Sequence, residues 1–177
     1  YHTTDGTPRW VIALRDYVRY TGDRSIVAEL DPNVRASIEG ALANFTDAAG
    51  YPVHADNETW MDARREPDKV SYSPRSTRAN DIQALWYEQL RAGADFATAL
   101  GDEESATRWS VAADRLRNRF AHDFVDPATG RMADHLDARD APNLQVRPNL
   151  LFSLQLLDQP TDAARAARQA WEALVYP

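Results

Sequence analysis

The sequence predicts an all-α fold of stacked helical hairpins, and three observations carry that reading. Apolar residues recur at helical spacing in nearly every segment. No β-branched or aromatic run alternates with period two for long enough to make a strand, apart from a short extended piece near Tyr51 to Val53. Short turns and long polar connections alternate between the helical segments, as they do when helices pack as antiparallel pairs. Solenoids and closed α/α toroids both meet this description; the lack of a fixed-period repeat weighs against the solenoid.

Trp10, Ala13, Leu14, Tyr17 and Val18 form the stripe of a first helix that stops at Thr21-Gly22-Asp23. A second is expected to open behind Asp31 and Pro32, residues suited to a cap and a first turn, and to bury Val34, Ile38, Leu42 and Phe45 before Gly50. From Tyr51 to Arg78 three prolines and many charges break the pattern, so this is a long irregular connection, a kind of segment that often carries function. Helical spacing returns with Ile82, Leu85, Trp86, Leu90, Ala94 and Ala97, then with Ala106, Trp109, Ala113, Leu116 and Phe120. Only a few residues around Leu100-Gly101 separate these two helices, which should pack antiparallel. Asp126-Pro127-Ala128-Thr129-Gly130 reads as a tight turn, followed by a second irregular stretch to Asn143. Leu150, Leu151, Leu154 and Leu157 mark a fifth helix, and Ala163 to Leu174 a sixth with Trp171 and Leu174 inward.

The composition narrows the function. A chain of 177 residues with 44% hydrophobic content is ordinary for one globular domain or part of one. A net charge of -7 and a pI near 5.0 argue against nucleic acid, whose binders need clustered cations. Cysteine is absent, which removes thiolate chemistry and disulfides and suits a reducing, cytoplasmic setting. No apolar run approaches the ~20 residues of a membrane helix, and Tyr1 to Gly6 has no signal-peptide character. The lack of an initiating Met suggests a piece of a longer parent. Asp126 to Asp140, with His122 and His135 nearby, lacks the ligand alternation of a calcium loop, so no metal site is expected and no cofactor is implied.

Glu58-Thr59-Trp60-Met61-Asp62-Ala63, then Ser73-Pro74-Arg75 and Asn80-Asp81-Ile82-Gln83-Ala84-Leu85-Trp86-Tyr87, carry a resemblance. The pairing is similar to the Thr-Trp-Met-Asp-Ala, Thr-Pro-Arg and Val-Glu-Ile-Asn-Ala-Leu-Trp-Tyr segments of glycogen debranching enzymes and their bacterial relatives. Asp5-Gly6-Thr7-Pro8-Arg9-Trp10, Tyr20-Thr21-Gly22-Asp23 and Arg147-Pro148-Asn149 resemble further landmarks in the same order, so the likeness spans almost the whole chain. Three positions depart from the pattern: Asp81 stands at the family's Glu, Gln83 at its Asn and Arg9 at its Leu. The resemblance implies a fragment, residues 1–177, of a single (α/α)6 glucosidase domain, truncated at both ends. It also implies an α-glucan substrate, hydrolysed at the α-1,6 branch of glycogen or a similar glucan, and an inverting mechanism.

Glycoside hydrolysis needs one carboxyl that donates a proton to the leaving oxygen and another that activates water or attacks carbon. The resemblance makes Asp62 the general acid, and its neighbours Trp60 and Met61 are of the apolar kind that can keep a carboxyl protonated. The partner base is expected beyond Val175-Tyr176-Pro177, so this chain alone should be catalytically incomplete and depend on the rest of its parent. Sugars present a C–H face and a hydroxyl edge, which suits aromatic rings beside planar polar groups. Trp60 is therefore expected to stack, Asp5, Asp81, Gln83 and Arg147 to meet hydroxyls, and Trp86 and Asn149 to complete the set.

Plainer readings stand beside these. From spacing alone Asp62 caps a helix starting at Ala63, Trp86 is a core residue, and Arg147 makes a surface ion pair. Other α/α-toroid glycosidases, of the glucoamylase, trehalase or mannosyl-oligosaccharide glucosidase kind, remain alternatives, as does a non-catalytic glycan-binding helical module.

Overall fold

Five α-helices and one long 3-10 helix make up most of the chain in a computed structural model that describes residues 3–175. In chain order they are α1 (Gly6–Thr21), α2 (Ser25–Asn44), α3 (Asn80–Ala99), α4 (Glu103–Phe124), the 3-10 helix (Pro148–Leu156) and α5 (Pro160–Leu174). Tyr1, His2 and the Tyr176-Pro177 part of the terminal match lie outside the described residues. Among the described residues no helix is long and apolar enough to cross a membrane.

Helix α3 is the axis of the packing. Fifteen of its twenty residues are buried, and it touches α1, α2, α4 and the 3-10 helix. A helix buried nearly all round needs neighbours on every side, and partners for buried polar residues such as Asn80, Asp81, Gln83 and Gln89. Helix α4 returns along it after a turn at Gly101 (φ 79°), and the Asp102 side chain caps α4 by accepting from Ser105 N at 3.1 Å.

Five expectations change. Helix α2 begins at Ser25, before Pro32, because Val27 joins Val34 and Ile38 on one buried stripe while the ring of Pro32 faces solvent. Phe45 falls past the end of α2 and is exposed. In α1 the buried stripe is Pro8, Val11 and Leu14, with Trp10 and Tyr17 turned outward. The expected fifth α-helix is a 3-10 helix, in which Leu150, Ser153 and Leu156 share a buried side at the three-residue period of that geometry. In α5 the inward residues are Ala166 and Ala170, small enough for close approach to the 3-10 helix; Trp171 and Leu174 face outward.

The irregular connections are tied to each other by a small antiparallel sheet. Its strands are β1 (Arg78–Ala79), β2 (His135–Leu136) and β3 (Pro142–Asn143), with His135 opposite both Ala79 and Asn143. Pairs this short carry no alternating sequence signal. Further bridges join Thr46 to Pro52 and His54 to Thr77, so the extended piece near Tyr51 is real. The expected turn at 126–130 closes with Gly130 N donating to Asp126 O at 2.7 Å.

Candidate active site

The sheet sets Asp134 beside the start of α3: Asn80 N donates to Asp134 O at 2.9 Å, and Asp134 N to Asn143 O at 2.8 Å. Between them lies Arg75, fully buried and charged. Arg75 Nε meets Asp134 Oδ2 at 2.8 Å and Nη2 meets Asp134 Oδ1 at 2.9 Å, a two-pronged pairing. The same guanidinium lies 2.9 Å from Asp81 Oδ1 and donates from Nη1 to Asp81 Oδ2 at 3.2 Å. Burial opposes the charge of Arg75, yet its bonds to Asp134 and the charge of Asp81 outweigh this and hold its proton more tightly than usual. Burial likewise pushes Asp134 up, and His135, Arg75 and Arg147 overcome it to hold the carboxyl below its ordinary value. Two arginines and two aspartates, Arg75, Arg147, Asp81 and Asp134, thus balance in charge. That balance is what makes ionised groups tolerable in the interior.

Four of the expected site residues converge on this cluster. Asp81 is fully buried, and its Oδ2 also accepts from Asn149 Nδ2 at 2.7 Å and from Trp60 Nε1 at 3.2 Å. Arg147 lies at the rim, with Nε 3.6 Å from Asp134 Oδ2 and Nη1 3.9 Å from the Met61 sulfur. The loop bearing Trp60-Met61-Asp62 is therefore fastened by its first two residues. Asp62 is exposed, no helix begins at Ala63, and the apolar enclosure expected around Asp62 is not formed by the described residues. The reason is that Trp60 spends its N–H on Asp81 while Met61 turns to Arg147.

The other three lie elsewhere. Asp5 is held locally by Thr3 and by Arg9 Nε at 3.3 Å; Thr4 N donates to Glu58 O at 2.6 Å, which brings this segment alongside the loop that leads to Trp60. Gln83 is buried and donates to Pro52 O at 3.1 Å and Ala79 O at 3.3 Å, so it anchors the connection. Trp86 is buried in the wall of a separate cavity of about 550 Å³ between α1, α2 and α3, which Phe45, Pro52, Ile82 and Gln89 also line and Asp62 does not.

Arg75, Asp134, Asn80, His54 and His135 join the cluster or its immediate surroundings although the sequence pattern does not single them out as site residues. Arg75 had a signal, since it stands in the Ser-Pro-Arg segment; Asp134 is one carboxylate among many in an irregular stretch. His54 is buried, with Nε2 accepting from Ala79 N at 3.0 Å and Nδ1 3.0 Å from Ala55 O. Among the described residues no group of His, Cys, Asp and Glu could hold a metal ion.

The family model described as amylo-alpha-1,6-glucosidase matches residues 1–177, the whole chain. The chain belongs to the amylo-alpha-1,6-glucosidase family. That family is one of glycosidase-like enzymes, and the Trp60-Met61-Asp62 loop and the Asp81 helix start described above lie within the match. No curated protein matches the chain. Among solved structures, the fold is similar to a GH78 family rhamnosidase of Bacillus sp. GL1 (TM-score 0.74, 18% identity, 99% of this chain and 18% of that one). It is also similar to a rhamnosidase from Klebsiella oxytoca with rhamnose bound (TM-score 0.76, 19% identity, 98% of this chain and 31% of that one). These likenesses give this amylo-alpha-1,6-glucosidase family member the helical architecture of an α/α-toroid glycosidase. The chain spans less than a third of the length of either rhamnosidase.

Proposed function

We propose that this chain supplies the proton-donating part of a glycosidase that hydrolyses α-glucosidic bonds, with the α-1,6 branch of glycogen or a similar glucan as substrate. Asp62 is the general acid, Trp60 the ring on which a sugar stacks, and Arg147 a donor to sugar hydroxyls. The base lies in the rest of the parent domain, of which residues 1–177 are a fragment. One observation carries the reading: the loop ending in Asp62 is pinned through Trp60 and Met61 to a rigid, charge-balanced cluster, while Asp62 itself stays open to solvent. An acid that must meet a glycosidic oxygen needs both a fixed approach and an accessible carboxyl.

Inversion places water between acid and base and so delivers the β-anomer of glucose first from an α-linkage. In the intact parent, Asp62→Asn should lower glucose release from a branched limit dextrin by about 10²–10⁴-fold while glucan affinity stays within about threefold. An amide keeps the shape and cannot donate the proton. Near-normal turnover in that variant rejects the assignment. The fold shared with rhamnosidases favours a second reading, a toroid glycosidase for another sugar; parallel assays on α-1,6- and α-1,4-glucosides and an α-rhamnoside separate the two.

A further inference from the structure

Asp81 has no surface with which to touch a ligand, since it is fully buried. Its Oδ2 is already shared by three donors: Arg75 Nη1, Asn149 Nδ2 and Trp60 Nε1. Trp60, by contrast, is 49% exposed. An indole has a single hydrogen-bonding atom, the Nε1 proton. Tying that atom to a fixed acceptor removes the ring's rotational freedom and leaves the rest of the ring open. The carboxylate is fixed in turn, because Arg75 holds it from one side and Asn149, on the 3-10 helix, from another. The backbone on either side of Trp60 is also restrained: Thr59 is buried with its Oγ1 accepting from Met61 N at 3.2 Å, and Met61 rests on Arg147.

We propose that Asp81 is a positioning residue rather than a sugar ligand. Its buried carboxylate holds Trp60 by the indole N–H and so presents the open part of the ring as a pre-oriented stacking surface two residues before Asp62. A ring ordered before binding loses less freedom when a sugar lands on it, so the contribution falls on affinity more than on the chemical step. The inference rests on Trp60 being the sugar platform of the proposed glycosidase. Its chemistry is one of orientation, and it involves no proton transfer by Asp81.

The test uses the intact parent protein labelled with 5-fluorotryptophan. The fluorine resonance of Trp60, assigned by its loss in Trp60→Phe, is expected to move in Asp81→Asn and in Asp81→Glu while the Trp109 resonance stays in place. Asp81→Glu, which keeps the charge beside Arg75, should raise KM for glucan about tenfold and change kcat less than about threefold. In a Trp60→Phe background the same substitution should add nothing further to KM, because its only route to the substrate is gone. An unmoved Trp60 resonance, or KM increases that multiply in the double variant, overturns the proposal. If the Asp81 variants fail to fold, Trp60→Phe still decides, since it leaves every buried charge in place: it must raise KM by itself, and an unchanged KM overturns the inference. Failure of the Asp62 assignment would show as an active Asp62→Asn variant and would leave the fluorine result intact, so the two failures are distinguishable.

Discussion

Arg75 shows how one buried charge organises the site. Removing either carboxylate partner would leave the cluster with one positive charge in excess, and an uncompensated buried charge costs about 3–5 kcal/mol. The residues that answer it come from the start of α3 and from the position just before β2, so the ion network also fixes how those segments meet. His54 does the same for the connection at 51–58, accepting from Ala79 N through Nε2. Burial is the main cause holding its imidazole below the ordinary value, with Arg75 adding to it and the bond to Ala55 opposing. A histidine with a lowered folded value stabilises the protein fully above its unfolded value near 6.5, and that stability is lost as pH falls below it. Thermal unfolding should therefore show stability declining from about pH 6.5 downward by at most ~1.4 kcal/mol per pH unit from this group. In His54→Gln that part of the slope should be absent; an identical slope in the variant would refute the neutral, hydrogen-bonded role.

At the level of elements, helices and cluster depend on how closely α3 lies against its neighbours. Gly93 sits where α2 and α4 both press on α3: a Cβ there would overlap Ile38 Cδ1 and stand 3.1 Å from Trp109 Cε3. Alanine is the better helix former by about 1 kcal/mol, but overpacking costs about 1–3 kcal/mol. The crowding wins because Ile38 and Trp109 are both fully buried and have little room to yield. Gly93→Ala should lower stability by about 1–2 kcal/mol in denaturant unfolding, and Ile38→Val, which deletes the obstructing Cδ1, should recover most of the loss. A neutral or stabilising Gly93→Ala would show that the helices stand farther apart than described. The 3-10 helix follows the same logic of fit, since its three-residue period aligns Leu150, Ser153 and Leu156 on one buried side while Asn149 reaches Asp81 at the start of α3.

For the molecule as a whole, much apolar surface is left open. Among the described residues, Tyr20, Phe45, Val70, Tyr72, Val111, Leu151 and Trp171 are all at least half exposed, and they come from every part of the chain. Apolar side chains left open in such number favour association with other protein. The 177-residue chain made alone is expected to self-associate or to bind a hydrophobic dye, measured by light scattering and dye fluorescence; a monodisperse monomer with no dye response would contradict this. The solved rhamnosidases of similar fold are several times longer, consistent with the proposal that residues 1–177 are one portion of a larger helical domain.

The local signals in the sequence determined the helical class, the α3–α4 hairpin, the stop at Gly22, the turn at Gly130 and the family, because periodicity, turn residues and motifs such as Trp60-Met61-Asp62 act over a few neighbouring positions. Periodicity also misled where packing chose among several apolar residues: Trp10 and Trp171 turned outward while Val11 and Ala170 went in. Only the tertiary structure decided that Arg75 and Asp134, 59 positions apart, would form the buried pair beneath Trp60, and that Asp81 and Gln83 would be enclosed. Charge pairing in the interior is set by which segments the fold brings within about 3 Å, and separation along the chain carries no record of that distance.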